Sequence, residues 1–394
     1  MYIHKTIIVP VKCSKEDYLY LLNCNRLSAE VWNLCLKIDK EYREQNNGDW
    51  IDRNKLQKLT KKCVHLHAKG IHHVVHKYLF ARDAARRAKE EGRKDVLYPY
   101  KQKNYFVTGW DSQSYKVEGN KILLAKPMTK EKINGRYRKQ KPVVCYVKNI
   151  PNNIVEVELI YRNKLYLAIK YREKKKYQQI KSNNHAAIDL GEIHSITSID
   201  TRGNAVIITG RKLRSIKYLR NKHQAELFRR LSKCTKGSKQ YWKYRNTLRN
   251  LTYKTEKRIN DAVHKITKLY LDFCIQNNIS TVYYGDLDSA TRNTKGRVNS
   301  FIGQKLQQWN HGEIMRELEN KLSRHGIRLI KVKEYYTSSK CPNCGKLNKP
   351  NNRNYECICD YKQHRDLVGA INILNNNANT NIKYYKNKKY LRIA

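Results

Sequence analysis

Residues 186–210 read AAIDLGEIHSITSIDTRGNAVIITG. The runs Ala186–Leu190, Ser195–Ile199 and Val206–Thr209 are apolar or β-branched and are separated by short turns, which predicts consecutive strands. Asp189 interrupts the first of them, and an acid inside an apolar strand is costly unless it binds something cationic. Working outward, the period changes: residues 214–276 read as a long helical pair with Gly237 near the bend. Residues 281–284 form a short apolar strand pattern, 302–324 a helix, 327–333 a strand and 366–375 a helix. Strands alternating with helices predict an α/β core. Upstream, a linker rich in Lys, Gln, Ser and Asn covers 173–184. Before it, residues 3–12 read as a strand, and 16–100 as a helical bundle whose second helical stretch runs from Asn54 to Glu91. Residues 101–180 return to strand-like runs with turns such as Asn134-Gly135, a small antiparallel β-domain. The helical block is thus expected as an insertion between the N-terminal strand and the rest of its sheet. The tail from Asn375, rich in Asn, Lys and Tyr, is expected to be disordered.

Charge narrows the function. The 394 residues hold 81 Lys and Arg against 34 Asp and Glu, a net charge of +47. A compact chain with that excess repels itself unless a polyanion neutralises it. Hydrophobic residues make up 40%, enough for real cores. No apolar run approaches the ~20 residues of a membrane span, and the opening Met1-Tyr2-Ile3-His4-Lys5 lacks the apolar core of an export signal. A membrane protein, a secreted protein and an enzyme of small anionic metabolites are therefore poor fits, and nucleic acid is the expected partner. Within 211–260 there are 17 Lys and Arg and two Glu, interleaved with Tyr218, Phe228, Tyr241, Trp242, Tyr244 and Tyr253. Cations neutralise phosphates and rings stack on bases.

Two motifs carry chemistry. Cys341-Pro342-Asn343-Cys344-Gly345 is followed by Cys357-Ile358-Cys359. Four thiolates in two close pairs suit a closed, tetrahedral, structural Zn²⁺ site. The second pair is one residue short of the usual spacing, which predicts strain in that knuckle. The other seven cysteines have no regular spacing and read as reduced thiols. The second motif is a set of carboxylates at strand and helix ends: Asp189, and Asp366 at the start of the apolar helix in His364-Arg365-Asp366-Leu367-Val368-Gly369-Ala370-Ile371-Asn372-Ile373. Alone, Asp366 would serve as a helix cap. Together with the cysteine cluster and the strand order, the acids read as a metal-dependent nuclease. Such acids can hold two divalent ions that activate water and stabilise a leaving oxygen. Mg²⁺, or Mn²⁺, suits them.

Four stretches in this order, Ile188-Asp189-Leu190-Gly191, Tyr284-Gly285-Asp286-Leu287, Glu334-Tyr335-Tyr336-Thr337-Ser338 and the 364–373 helix, resemble the TnpB and Fanzor proteins, transposon-encoded RNA-guided DNA nucleases. The motif resemblance covers 186–374, while residues 1–180 match in layout only. It implies a multidomain α/β protein. Residues 1–14 and 101–180 would form a small β-barrel-like wedge domain, and 15–100 a helical recognition domain. Residues 181–336 and 363–376 would form a RuvC (RNase H-like) nuclease domain, with a zinc ribbon at 337–362 and a disordered tail at 377–394. It implies Asp189 and Asp366 as Mg²⁺-binding catalytic acids and Cys341, Cys344, Cys357 and Cys359 as zinc ligands. It also implies a guide RNA and a double-stranded DNA target, no membrane partner, and a monomer with RNA. Localisation would be cytoplasmic for a prokaryotic protein and nuclear for a Fanzor.

The chain departs from the family in its second motif, where Gly285 takes the place of the usual glutamate and Asp286 follows it. Side chains alternate across a strand, so Asp286 is expected to face away from Asp189. Counting by twos, Ile330, Val332 and Glu334 share one face, which makes Glu334 the expected third metal ligand and catalytic acid. Two other readings fit the same residues: an RNA-guided DNA binder whose nuclease site has decayed, and a conventional transposase that needs no RNA.

Overall fold

The computed structural model describes residues 2–93, 95–129, 131, 136–174, 180–286, 308–333, 337–348 and 352–393. The chain divides into two compact units, residues 1–175 and 176–394.

In the first unit, β1 (Tyr2–Pro10) is followed by three helices, α1 (Lys15–Gln45), α2 (Arg53–Leu59) and α3 (Ala68–Glu90). Ser14 caps α1 by accepting the Asp17 backbone N–H at 3.1 Å. The stretch expected as one helix from Asn54 to Glu91 is broken after α2, where Lys62 takes a left-handed φ of 57°. Six strands follow: β2 (Thr108–Asp111), β3 (Tyr115–Glu118), β4 (Lys121–Leu124), β5 (Val143–Tyr146), β6 (Ile154–Tyr161) and β7 (Leu165–Lys174). β1 pairs antiparallel with β7 from Tyr2 opposite Lys174 to Pro10 opposite Tyr166. The helices therefore do interrupt a single sheet, of order β1-β7-β6-β2. The barrel-like β-domain expected here is instead two antiparallel sheets among the described residues, the second of order β3-β4-β5. Both contribute to one core with the helices, through residues such as Leu21, Trp32, Val75, Trp110, Ile122 and Leu167.

The second unit is built on a six-stranded sheet of order β12-β11-β8-β9-β10-β15. Its strands are β8 (His185–Asp189), β9 (His194–Asp200), β10 (Asn204–Thr209), β11 (Thr281–Gly285), β12 (Arg328–Val332) and β15 (Asn387–Leu391). β8, β9 and β10 are antiparallel neighbours, as strands joined by tight turns must be. β11 runs parallel to both β8 and β12, as strands separated by helices usually do. The helices are α4 (Arg211–Leu231), α5 (Lys239–Gln276), α6 (His311–Arg324) and α7 (Arg365–Ala378). A two-stranded ribbon, β13 (Asn354–Glu356) with β14 (Lys362–His364), precedes α7.

Strand alternation divides the sheet's side chains between two cores. Ala186, Ile188, Val206 and Ile208 pack with α5 and α6 through Ile266, Tyr270, Ile314 and Leu318. Ala187, Ile199, Ala205 and Ile207 pack with α7 through Leu367, Ala370, Ile371 and Leu374. The expected disordered tail is corrected by β15, which adds to the sheet edge parallel to β10, from Asn387 opposite Asn204 to Leu391 opposite Ile208. Its polar composition hid it, because an exposed edge strand needs little apolar surface of its own. Among the described residues no helix is long and apolar enough to cross a membrane.

Candidate active site and metal centre

Asp189 ends β8 two residues after Ala187, so it belongs to the α7 face of the sheet. The chain then turns sharply. The Gly191 N–H donates to the His194 carbonyl at 2.9 Å, and a Cβ on Gly191 would lie 2.8 Å from that same oxygen. Glycine is what lets β9 begin so close to the end of β8. On α7, Gly369 serves a similar end: a Cβ there would lie 2.7 Å from Asp189 Oδ2. The Asp189 carboxylate thus lies against the backbone of α7 at Gly369, about one turn beyond Asp366.

Asp366 is the better braced of the two. Nδ1 of His194 lies 2.8 Å from its Oδ2, and Nη1 of Arg353 donates to the same oxygen at 2.9 Å. The His364 ring stands 4.9 Å from that of His194, and its Nδ1 accepts the Asp366 backbone N–H at 3.3 Å. Burial pushes the Asp366 carboxyl up, but the His194 hydrogen bond and the nearby His364 and Arg353 charges outweigh it, and the net shift is downward. Asp366 is therefore an anion poised for a cation. His194, His364 and Asp366 also offer ligand atoms within 4.8 Å of one another. Sequence reasoning missed His194 and Arg353. The signal for His194 was a titratable ring at the head of a fully buried strand.

The second-motif strand lies beside Asp189. β11 pairs with β8 up to Tyr284 opposite Ile188, so Gly285 is the next residue in register with Asp189. Gly285 also pairs with Val332 on β12. Asp286 makes an ion pair with Lys331 Nζ at 2.8 Å. Lys331 alternates with Val332, which packs on the α7 side, so the Lys331 partner of Asp286 comes from the opposite set of side chains. Glu334 lies outside the described residues.

The cysteine cluster is assembled as its spacing implies. Cys341 Sγ lies 3.7 Å from Cys359 Sγ, Cys344 Sγ lies 3.6 Å from Cys357 Sγ, and all four lie within 4.8 Å of one another. A tetrahedron with Zn–S bonds of ~2.3 Å has edges of about 3.8 Å, so the donor set fits that ion. The short second knuckle is closed by a left-handed Asp360, φ 58°, directly after Cys359. Gly345, φ 76°, occupies the matching place after Cys344. Hydrogen bonds from Asn343 and from the Tyr361 backbone pull the Cys359 thiol down to about 6, toward the thiolate a metal needs. Asn372, buried on α7, ties this module to the helix by donating to the carbonyls of Thr337 at 2.6 Å and Lys340 at 2.7 Å.

Each unit also carries a cationic surface. On the α4–α5 pair Tyr218 is 74% exposed, and Phe228 and Trp242 are each 53% exposed, among the basic residues named above. In the first unit, Lys58, Lys61, Lys116, Lys126, Lys139 and Tyr137 line a groove of about 1360 Å³.

Two family models match this arrangement. Residues 168–291 match a probable transposase of the OrfB/IS605 type, and 311–373 match the Cas12f1-like TNB domain. Over these residues the chain is similar to TnpB/IS605-like transposases. A TnpB-like protein of Acidianus two-tailed virus is 28% identical over 199 residues, 49% of this chain and 42% of that protein. A CRISPR-associated endodeoxyribonuclease Cas12f1 from an uncultured archaeon is 30% identical over 136 residues, 32% of this chain and 25% of that protein. The matched stretches thus span well under half of these relatives. In three dimensions the chain resembles the protein of a Cas12f1–sgRNA–target DNA complex, with a TM-score of 0.64 and 14% identity, over 94% of this chain and 98% of that one. The multidomain α/β fold of this chain is therefore similar to that of the Cas12f1 protein in that complex. Of the expected site residues, the fold gathers the four cysteines, and it sets Asp189 against α7 at Gly369, three residues after Asp366.

Proposed function

We propose that this TnpB-like chain is an RNA-guided DNA endonuclease of the transposon-associated type. The observation that carries the reading is the Asp189 carboxylate lying against α7 at Gly369, about one turn beyond Asp366, with Gly285 the next residue in register beside it. Asp189, Asp366 and, as the third acid, Glu334 would hold Mg²⁺ or Mn²⁺. Such ions supply positive charge that activates water and stabilises the leaving oxygen of a phosphodiester. The protein's part is to fix the acids: β8 and Gly369 seat Asp189, while His194 and Arg353 keep Asp366 ionised and still. Cys341, Cys344, Cys357 and Cys359 would hold one structural Zn²⁺ that leaves no open position for chemistry. The α4–α5 surface would hold guide RNA by its backbone, and base pairing would select double-stranded DNA beside a short flanking motif. The groove of the first unit suits phosphate contacts to that duplex. The working particle would be a monomer with RNA.

A nuclease-inactive RNA-guided binder is the second reading, favoured by one observation: β11 ends in Gly285 where relatives' acid would stand beside Asp189. A transposase without RNA is not favoured. Sequencing RNA that co-purifies with the protein, then offering DNA that matches it, separates the readings. Bound transposon-end RNA with cleavage supports the proposal, bound RNA without cleavage supports the second reading, and no bound RNA rejects both.

A further inference from the structure

His194 enters the reading above only as a brace for Asp366, and its imidazole is buried. Its geometry is specific. The residue is 6% exposed at the head of β9, and its own carbonyl is held by Gly191 at 2.9 Å. Nδ1 points at Asp366 Oδ2, 2.8 Å away. A carboxylate only accepts, so Nδ1 carries the proton and donates. On the other side of the ring stands Tyr390 from β15. Its ring meets that of His194 edge-on, at 5.7 Å and 90°, and its hydroxyl lies 3.5 Å from Nε2. Both hydrogen bonds to the Asp366 carboxylate, from His194 and from Arg353, fall on Oδ2. Arg353 is 44% exposed in its side chain, whereas that of His194 is 7% exposed. The fixed brace is therefore the imidazole, and the oxygen it leaves for a metal ion is Oδ1.

We propose that His194 is a positioning residue for the metal-binding carboxylate, and that the C-terminal strand holds His194 in turn. By pinning Oδ2, the imidazole fixes the rotation of the Asp366 carboxyl and leaves Oδ1 for a metal ion. Groups that hydrogen-bond a metal ligand from behind typically change metal affinity or activity about 10–100-fold when removed. The chain's last strand is thereby part of the active site's support, although it carries no acid.

The inference rests on the nuclease reading, and one experiment separates the two. Mn²⁺ binding to the full-length chain is followed by loss of the free-ion EPR signal, with Asp189→Asn as the background. Cleavage of DNA matching the co-purified RNA is measured beside it. His194→Gln and His194→Phe are expected to weaken Mn²⁺ binding and slow cleavage about 10–100-fold. His194→Asn, whose amide nitrogen occupies the place of Nδ1, is expected to keep most of both. Asn and Gln both remove the ring, so equal losses in the two at equal melting temperature mean simple packing and overturn the proposal. Wild-type behaviour of His194→Gln overturns it as well. If the amide variants do not fold, His194→Phe, which keeps the ring and lacks nitrogen, decides by the same criterion. If wild type shows no Asp189-dependent Mn²⁺ binding and no cleavage, it is the nuclease reading that falls.

Discussion

Each acid of the candidate site is defined by what touches it. Asp189 has the α7 backbone at Gly369 against it, and Asp366 has an imidazole and a guanidinium. Asp189→Ala is expected to abolish guided cleavage and to leave RNA and DNA binding intact, which gel-shift and cleavage assays on one preparation can check. Cleavage at the wild-type rate by this variant would remove Asp189 from the site. The third acid is a choice between two neighbouring strands. Asp286 is engaged with Lys331 on the other set of side chains, so Asp286→Asn is expected to impair cleavage slightly at most. Glu334→Gln is expected to be inactive, because Val332, two residues before it, already packs on the α7 side beside Gly285. The opposite pair of outcomes would return the role to Asp286. In the first unit, Asp39 is 2% exposed and accepts from Tyr78 Oη at 2.6 Å and Arg82 Nη1 at 3.1 Å. Asp39→Ala removes the acceptor of the Tyr78 hydroxyl and one partner of Arg82, which keeps Asp83 Oδ1 at 3.0 Å and the Ile51 carbonyl at 2.9 Å, and is expected to cost about 1–3 kcal/mol in urea unfolding.

At the scale of elements, the sheet of the second unit was legible because its strands are continuous apolar runs and its helices are long and periodic. The carboxylates were legible because an acid in such a run stands out, and the cysteine module because close pairs of thiols have few other uses. What could not be read depends on contacts distant in sequence. His194 meets Asp366 across 172 positions, and no local pattern announces that. β15 escaped because an edge strand with one neighbour can be polar, as Asn387-Lys388-Lys389-Tyr390-Leu391 is. The break between α2 and α3 needs only one left-handed lysine. Deleting residues 380–394 is expected to lower the unfolding midpoint of the second unit by at least ~2–4 °C, the shift per ~1 kcal/mol lost at this size. An unchanged midpoint would make β15 ornamental. A second element-level test concerns His73 on α3, whose Nδ1 lies 2.7 Å from Glu156 Oε1 on β6, with Glu158, Lys77 and Lys170 completing the network. Burial works against the charge on His73, but the hydrogen bonds to Glu156 and Glu158 outweigh it and raise its pKa above 6.5. Its stabilisation is therefore full below pH ~6.5 and is lost as pH rises through the raised folded value. Glu156 and Glu158 are held low despite burial, so their share is present above about 4.5 and is lost as pH falls. The midpoint difference between wild type and His73→Gln is expected to shrink from pH 6 to pH 8, and a constant difference would deny the charged pairing.

For the whole molecule, the charge of +47 is the reason to expect a polyanion as partner. RNA affinity is expected to fall linearly on a log–log plot against salt, with a slope of roughly −0.7 to −0.9 per neutralised phosphate. Arg229→Glu with Arg230→Glu, on the α4–α5 pair, is expected to weaken binding and flatten that slope, which filter binding at several salt concentrations can follow. The activity proposed for this chain is DNA cutting at the instruction of its own RNA, with Asp366 at the start of α7 among the acids. The direct measurement is cleavage of two otherwise identical DNA duplexes, one matching the co-purified RNA and one scrambled, by wild type and by Asp366→Asn in Mg²⁺. Cleavage of the matched duplex alone, by wild type alone, is the predicted result; equal cutting of both duplexes, or undiminished cutting by Asp366→Asn, would contradict it.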